Sequence, residues 1–187
     1  MKARHSTGEI TKHKIHIGDA RSVIGAIPER SVHLAVTSPP YWNLKEYPPR
    51  EGQLGNQDDL HIFLGELHKV WKGCFQALVP GGRLCIVVGD VCLIRKPGDY
   101  RHPTPEQRKK SKLHKDEFFQ YFRQVWDLPG ASTKRHPAPF PEELAYRLIR
   151  MFSFVGDTIL DPFAGTGTTS LAAARAGRSS AGIEIDP

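Results

Sequence analysis

Hydrophobic and polar positions along this chain switch between two rhythms. Strand-like apolar runs recur at 14–17, 32–37, 83–88, 158–160 and 180–185, and the spacing between several of them turns helical. The clearest helix follows Asp58 and Asp59, either of which can cap it. Leu60, Phe63, Leu64, Leu67, Val70, Trp71, Cys74, Phe75 and Leu78 then keep the 3.6-residue period. Pro80, Gly81 and Gly82 close that helix, and Arg83 to Val88 is nearly all apolar, as a parallel strand covered on both faces would be. A short helix near 21–27 stops at Pro28. Residues 116–126 carry Phe118, Phe119, Tyr121, Phe122 and Trp126 and read as a helix broken by Pro129 and Gly130. Another helix begins at Pro141, where Glu142 and Glu143 suit the positive end of its dipole. The last unit is strand 158–160, loop 161–168, helix 169–176, Gly177 as stop and strand 180–185. Strands alternating with helices predict an α/β fold with a mainly parallel sheet.

Three stretches stand outside this pattern. Residues 1–13 are polar and basic, 43–57 form a long loop containing Pro48, Pro49, Gly52 and Gly55, and 89–138 give no clear periodicity. The 187 residues suit one domain with a real core, and 39% hydrophobic with 25% charged residues is ordinary for a globular chain. A formal charge of +6 and a pI near 9.3 favour an anionic partner, nucleic acid first, although many basic proteins bind none. Cys74, Cys85 and Cys92 are odd in number and lack CxxC spacing, so they indicate neither a disulfide framework nor a zinc site, and no metal is expected. No apolar stretch follows the basic N-terminus and no run approaches membrane-spanning length. The expectation is a cytoplasmic protein without a membrane partner.

The candidate chemistry sits at the ends of two strands. Val32 to Thr37 feeds into Ser38-Pro39-Pro40-Tyr41-Trp42. Both prolines fix φ and lack an N–H, and Pro40 keeps Pro39 extended, so the carbonyls there stay outside any helix and free to accept hydrogen bonds. A rigid turn with acceptors and two aromatic rings suits a flat ring bearing an amino group. Taken alone it reads equally well as a Pro-rich turn with half-buried aromatics. Asp161-Pro162-Phe163-Ala164-Gly165-Thr166-Gly167-Thr168-Thr169 follows the strand at 158–160 and opens a helix. The glycines allow a tight turn and close approach of a ligand, while no lysine follows as in a phosphate-binding P-loop. Glu184 lies about 20 residues beyond Gly165, where a Rossmann pattern places a carboxylate on ribose hydroxyls. Together these features point to an adenosyl cofactor, against a plain tight turn with a surface glutamate. Asp161 would repel a pyrophosphate and attract a sulfonium or ammonium, which favours S-adenosylmethionine over NAD. It also reads as an ordinary strand-end carboxylate.

With both motifs placed, the chain resembles the DNA amino-methyltransferases of the permuted β group, in which the Pro-Pro motif precedes the cofactor loop. The matching segments are Ser38 to Tyr41, Asp161 to Thr169, Gly182-Ile183-Glu184-Ile185-Asp186, Gly18-Asp19-Ala20 and His136-Pro137-Ala138-Pro139-Phe140-Pro141. The resemblance implies a single Rossmann-like methyltransferase domain over 1–187, doubly wound, mainly parallel and circularly permuted, with the chain ends close together. It implies direct methyl transfer from S-adenosylmethionine to an exocyclic amino group of a base flipped from double-stranded DNA. Ser38, Pro39, Pro40 and Tyr41 would be catalytic, and Tyr41 with Trp42 would stack on the base. Asp19, Thr37, Ser38, His136, Phe140, Asp161 to Gly165, Gly167, Thr168, Thr169 and Glu184 would hold the cofactor. A leading serine goes with cytosine N4 more often than adenine N6, within a restriction-modification system. A cognate restriction endonuclease and a homodimer remain open as partners.

The chain departs from the family between Val91 and Trp126. A strand pair closing the sheet and a target-recognition insertion are expected there, yet the sequence passes within a few residues to a basic stretch. The reading is therefore a sheet lacking its last strand pair and a reduced target-recognition region at 89–138. The basic run at 95–115 would contact phosphates or form a solvated loop. The alternative function is a catalytically impaired relative that binds cofactor and DNA only.

Overall fold

A computed structural model describes residues 10–131 and 139–186. Six strands form one sheet: β1 (His13–Ile17), β2 (Val32–Thr37), β3 (Leu78–Val88), β4 (Asp90–Arg95), β5 (Thr158–Asp161) and β6 (Ser179–Glu184). Their spatial order is β1-β6-β5-β2-β3-β4, with every neighbouring pair parallel except β3 and β4. This is the mainly parallel α/β sheet that the alternating pattern predicts, in the Rossmann-like form that the family resemblance implies. The antiparallel β4 corrects the expectation of an unclosed sheet. Residues 90–95 pair along β3 from Val88 opposite Asp90 to Arg83 opposite Arg95, so one strand of the expected pair is present at this edge. β1 and β6 lie side by side, as permutation requires. Because they are parallel, the start of β1 lies beside the start of β6 and not beside its end, and joining them would take a crossover.

Helices cover both faces. On one side α1 (Ala20–Val23), a 3₁₀ turn at Ile24–Ala26 and α2 (Leu60–Ala77) pack on Val32, Ala35, Leu84, Leu160 and Ile183. On the other, α5 (Glu142–Phe152) and α6 (Thr168–Arg175) pack on Leu34, Val36, Cys85, Val87 and Ile159. Successive residues of β2 thus serve opposite faces, which is why the strand has no polar side. Helix α2 starts where Asp59 accepts from the N–H groups of His61 and Ile62 at 2.7 and 3.1 Å, a cap worth about 1 kcal/mol. It ends at Ala77, and Pro80 to Gly82 fall inside β3, where the pairing with β2 shifts register between Val32 and Leu34. The helical period therefore overshoots into the strand. Leu60, Leu64 and Phe75 stay exposed, and Gly73 and Ala77 take buried positions instead.

The segment after β4 carries α3 (Pro105–Ser111) and α4 (Lys115–Tyr121). Helix α3 escapes an apolar-period reading because it buries only Ser111; its signal is Thr104 with Gln107, a capping box. Gln107 donates to the Val155 carbonyl and the Val155 N–H donates to Ser111, just before β5 begins. The basic run is thereby held at the N-terminal ends of the strands. Arg101 pairs with Asp157 and Lys110 with Glu106. No described helix is long and apolar enough to cross a membrane.

Below the sheet, Arg178 is fully buried and stitches α5 to the approach of β6. Its Nε donates to Ser153 Oγ at 3.1 Å, its Nη2 to the Ser153 carbonyl at 2.7 Å and its Nη1 to the Ala176 carbonyl. Burial lowers its pKa to about 10, so it stays charged at neutral pH. Arg178→Met keeps the apolar stem but strands those acceptors, and is expected to cost about 3 kcal/mol. Urea unfolding measures this; a variant as stable as the parent would show that the three bonds contribute nothing net.

Candidate active site

Strand order reverses between β5 and β2, where β5 connects onward to β6 on one side and β2 to β3 on the other. Loops leaving the C-terminal ends of these two strands diverge and leave a crevice, the usual ligand site of an open α/β sheet. The turn after β2 is Ser38 to Tyr41 and the loop after β5 is Pro162 to Gly167, so the topology brings the two sequence motifs to one crevice.

In the first turn, Thr37 and Pro39 are buried while Ser38, Pro40 and Tyr41 are half-buried. Ser38 Oγ lies 3.0 Å from Tyr41 Oη and 3.2 Å from the Val87 carbonyl. Its single proton serves one of these, which leaves oxygen lone pairs for an incoming N–H. Trp42 has φ +48, a left-handed conformation uncommon for a bulky residue. Its indole Nε1 donates to the Gln57 carbonyl at 2.5 Å and its ring packs on Leu54, Phe63 and Leu67. This corrects its assignment to base stacking: the ring is occupied as an anchor for the following loop. Tyr41 remains beside Ser38.

In the second loop Gly165 and Gly167 have φ +51 and +80, which a side chain would resist. The Gly165 N–H donates to Glu184 Oε2 at 2.5 Å and the Ala164 N–H to the Ile183 carbonyl at 2.9 Å, so the loop and the end of β6 are locked together. Asp161 lies beneath the loop, 2% exposed. It accepts from Thr169 Oγ1 at 2.6 Å and from the Phe163 N–H at 3.1 Å. Buried Thr37 Oγ1 lies close enough to temper its charge without completing a hydrogen bond. Burial, with a smaller push from Glu184, raises the Asp161 carboxyl to about 6 despite those donors. Burial also pushes the thiols of Cys74 and Cys85 up to about 12, so neither is a nucleophile at neutral pH.

The crevice measures about 200 Å³. Of the sequence-assigned residues, Asp19, Ser38, Pro39, Pro40, Pro162, Phe163, Gly165 and Glu184 line it. Thr37, Asp161 and Thr169 support it from beneath. Ala164, Gly167 and Thr168 shape the loop and the start of α6. Phe140 packs against the Leu34 and Val36 face of the sheet and is not among the lining residues. His136 lies outside the described residues. Asp19 caps α1 through the Arg21 N–H at 2.9 Å and grips the Arg21 guanidinium, which also reaches Glu66 at 2.6 Å. Tyr47, Pro48, Gly52, Gln53 and Leu54 form a wall that the sequence reading leaves unassigned within the 43–57 loop. Only their density of Pro and Gly hinted at it. Among the described residues the lining holds the carboxylates of Asp19, Glu184 and Asp186 and no lysine or arginine, an acceptor set that suits ribose hydroxyls and a cationic cofactor better than a pyrophosphate.

The raised Asp161 pKa makes stability depend on pH. The folded protein binds this proton more tightly than the unfolded chain, whose value is 3.8, so stability falls as pH rises between there and about 6. Asp161→Asn removes the buried charge, and Thr169 Oγ1 can turn its proton to the Val36 carbonyl, 3.4 Å away. The asparagine variant should therefore gain on the parent by roughly 2 kcal/mol at pH 8, with the gain vanishing near pH 4. Denaturant unfolding at the two pH values decides; a pH-independent difference would place the charge elsewhere.

Comparison with known proteins agrees with this geometry. The model of a DNA methylase family matches residues 32–94 and 91–187. The Type II methyltransferase M.MjaI of Methanocaldococcus jannaschii is 31% identical, with 94% of this chain and 88% of that protein covered. Type II methyltransferase M.ScaI of Streptomyces caespitosus is 41% identical over 91% of this chain and 76% of its own. Among solved structures, a Thermus thermophilus protein assigned as a DNA modification methylase superposes with a TM-score of 0.78 at 45% identity, covering 94% of this chain and 89% of that one. The same protein complexed with S-adenosyl-L-methionine gives 0.76. The two family matches meet at 91–94, within β4, and the M.MjaI alignment runs over 268 positions, more than the 187 residues here. Relatives therefore carry sequence with no counterpart in this chain. With the motifs converging on one crevice and the family matched over most of its length, this chain belongs to the DNA methylase family.

Proposed function

We propose that this protein is an S-adenosylmethionine-dependent DNA methyltransferase of the type II restriction-modification kind that acts on cytosine N4. The observation that carries the reading is the convergence of Ser38 to Pro40 with Pro162 to Gly165 and Glu184 on one crevice at the switch point of the sheet. Glu184 offers its carboxylate to ribose hydroxyls, the ring of Phe163 and the side chain of Ile183 give apolar walls, and the buried Asp161 charge favours a cation above the loop. S-adenosylmethionine, when bound, supplies an electrophilic methyl on a positively charged sulfur.

Ser38 Oγ and the Pro39 carbonyl accept hydrogen bonds from the exocyclic amine. That amine is conjugated with its ring and is a weak nucleophile until its lone pair is turned out of the ring plane. Two acceptors on a turn stiffened by consecutive prolines hold it in that orientation, so catalysis is positioning and electrostatics. A serine hydroxyl is a poor proton acceptor, so the proton released on N–C bond formation leaves to solvent. Tyr41, beside Ser38, is the stacking partner for the flipped base. Ser38 in place of a carboxylate is what favours cytosine over adenine; adenine N6 is the competing target.

A second reading, a relative that binds cofactor and DNA without methylating, is favoured by one observation. Helix α3, which carries part of the basic run, docks at the opposite end of the sheet from Ser38, where it contacts Val155. Tritiated methyl transfer to unmethylated double-stranded DNA, followed by nucleoside analysis, separates the readings. N4-methylcytosine is expected; N6-methyladenine would move the target, and tight cofactor binding without transfer would establish the second reading. Ser38→Ala should lower turnover about 100-fold with little change in cofactor affinity, whereas Glu184→Ala should weaken cofactor binding first. The reverse ranking would overturn both roles.

A further inference from the structure

The catalytic turn has an unusual shortage of its own fastenings. Pro39 and Pro40 have no N–H, so after Ser38 the first backbone donor able to pin the turn is that of Tyr41. It donates to the phenol oxygen of Tyr47 at 2.9 Å, six residues on in the loop. The Tyr47 ring is itself located closely. A Cβ on Gly55 would fall 2.2 Å from its Cδ2, and Asn56 Nδ2 donates to the Tyr47 carbonyl at 3.1 Å. Burial raises the Tyr47 pKa, so the phenol stays neutral and keeps its oxygen as an acceptor. The next residue in the turn, Trp42, holds its left-handed conformation against a cost of order 1 kcal/mol, which the surroundings must offset.

The same loop reaches across the crevice. Arg50 pairs with Asp186 at 2.5 Å beyond the Glu184 strand, and Arg21 donates to the Gly52 carbonyl at 3.3 Å. It therefore touches the cofactor side through Arg50 and Gly52 and the catalytic side through Tyr47.

We propose that Tyr47 is a positioning residue for methyl transfer: by accepting the Tyr41 N–H, its phenol oxygen sets the orientation in which Ser38 and Pro39 present their acceptors to the amine. The inference rests on the methyltransferase reading and adds a residue outside the motif to it. Tyr47 acts through the backbone of Tyr41 and needs no contact with the base.

Tyr47→Phe removes the acceptor and keeps the ring that fills the space over Gly55 and lines the crevice. In steady-state methylation assays the variant should lose at least about tenfold in kcat, with the Kd for S-adenosylmethionine within about twofold of the parent. Amide hydrogen exchange of Tyr41 should quicken in the same variant, an observable independent of activity. Unchanged kcat overturns the proposal, as does weakened cofactor binding at unchanged kcat, which would make Tyr47 only a wall. Slower turnover without faster Tyr41 exchange overturns it too. A parent protein that transfers no methyl group would refute the methyltransferase reading instead, and Tyr41 exchange would still decide the hydrogen bond.

Discussion

One buried junction holds the two halves of the crevice together. Thr169 Oγ1, at the start of α6, is bonded to Asp161 at the end of β5 and lies 3.4 Å from the Val36 carbonyl near the end of β2. Two neighbouring strands and the helix that follows one of them thus meet at one hydroxyl. The carboxylate in this junction is almost fully desolvated, which raises its pKa and puts a stability cost at the base of the site. Such a cost is typical where a buried charge faces a ligand position, and a cation above the loop would offset it.

From that junction the division of labour follows. The glycine loop and Glu184 are fixed to each other by backbone donors, so this side of the crevice is tied to the C-terminal ends of two interior strands. The side formed by Ser38 to Tyr41 is different. Its prolines cannot bond through their own nitrogens, and its stiffness comes from fixed φ angles together with contacts to the 43–57 loop through Tyr47 and the Trp42 anchor. The 43–57 loop touches both sides, through Arg50 and Gly52 at one and Tyr47 at the other.

The parts of the molecule legible without coordinates were those governed by local chemistry. The parallel sheet, the glycine loop, the capped α2 and the Pro-Pro turn each carry their signal within a few residues of themselves. What escaped was non-local. Helix α2 ends at Ala77 because Leu78 is captured by pairing with Val32, a competition between helix and strand that no periodicity resolves. Helix α3 has no apolar face to announce it, and β4 reads as a passage into a basic stretch until Lys96 and the residues before it are seen paired back onto β3. Trp42 looked available for stacking on a base because an aromatic after Pro-Pro carries no mark of which way its ring turns.

The sequence by itself determined the class of fold, the glycine loop with its distant carboxylate, and the extended, acceptor-bearing turn at Ser38 to Pro40. Those properties depend on residue type and short spacing: glycine for positive φ, proline for missing donors, a carboxylate at a strand end. Tertiary structure alone decided that both motifs face one crevice, that Asp161 sits beneath it with a raised pKa, and that the basic helix α3 docks at the opposite end of the sheet. It also drew Tyr47 into the site. The physical reason is that strand order, burial and a phenol's reach across six residues are set by packing between distant segments, which the linear pattern does not encode.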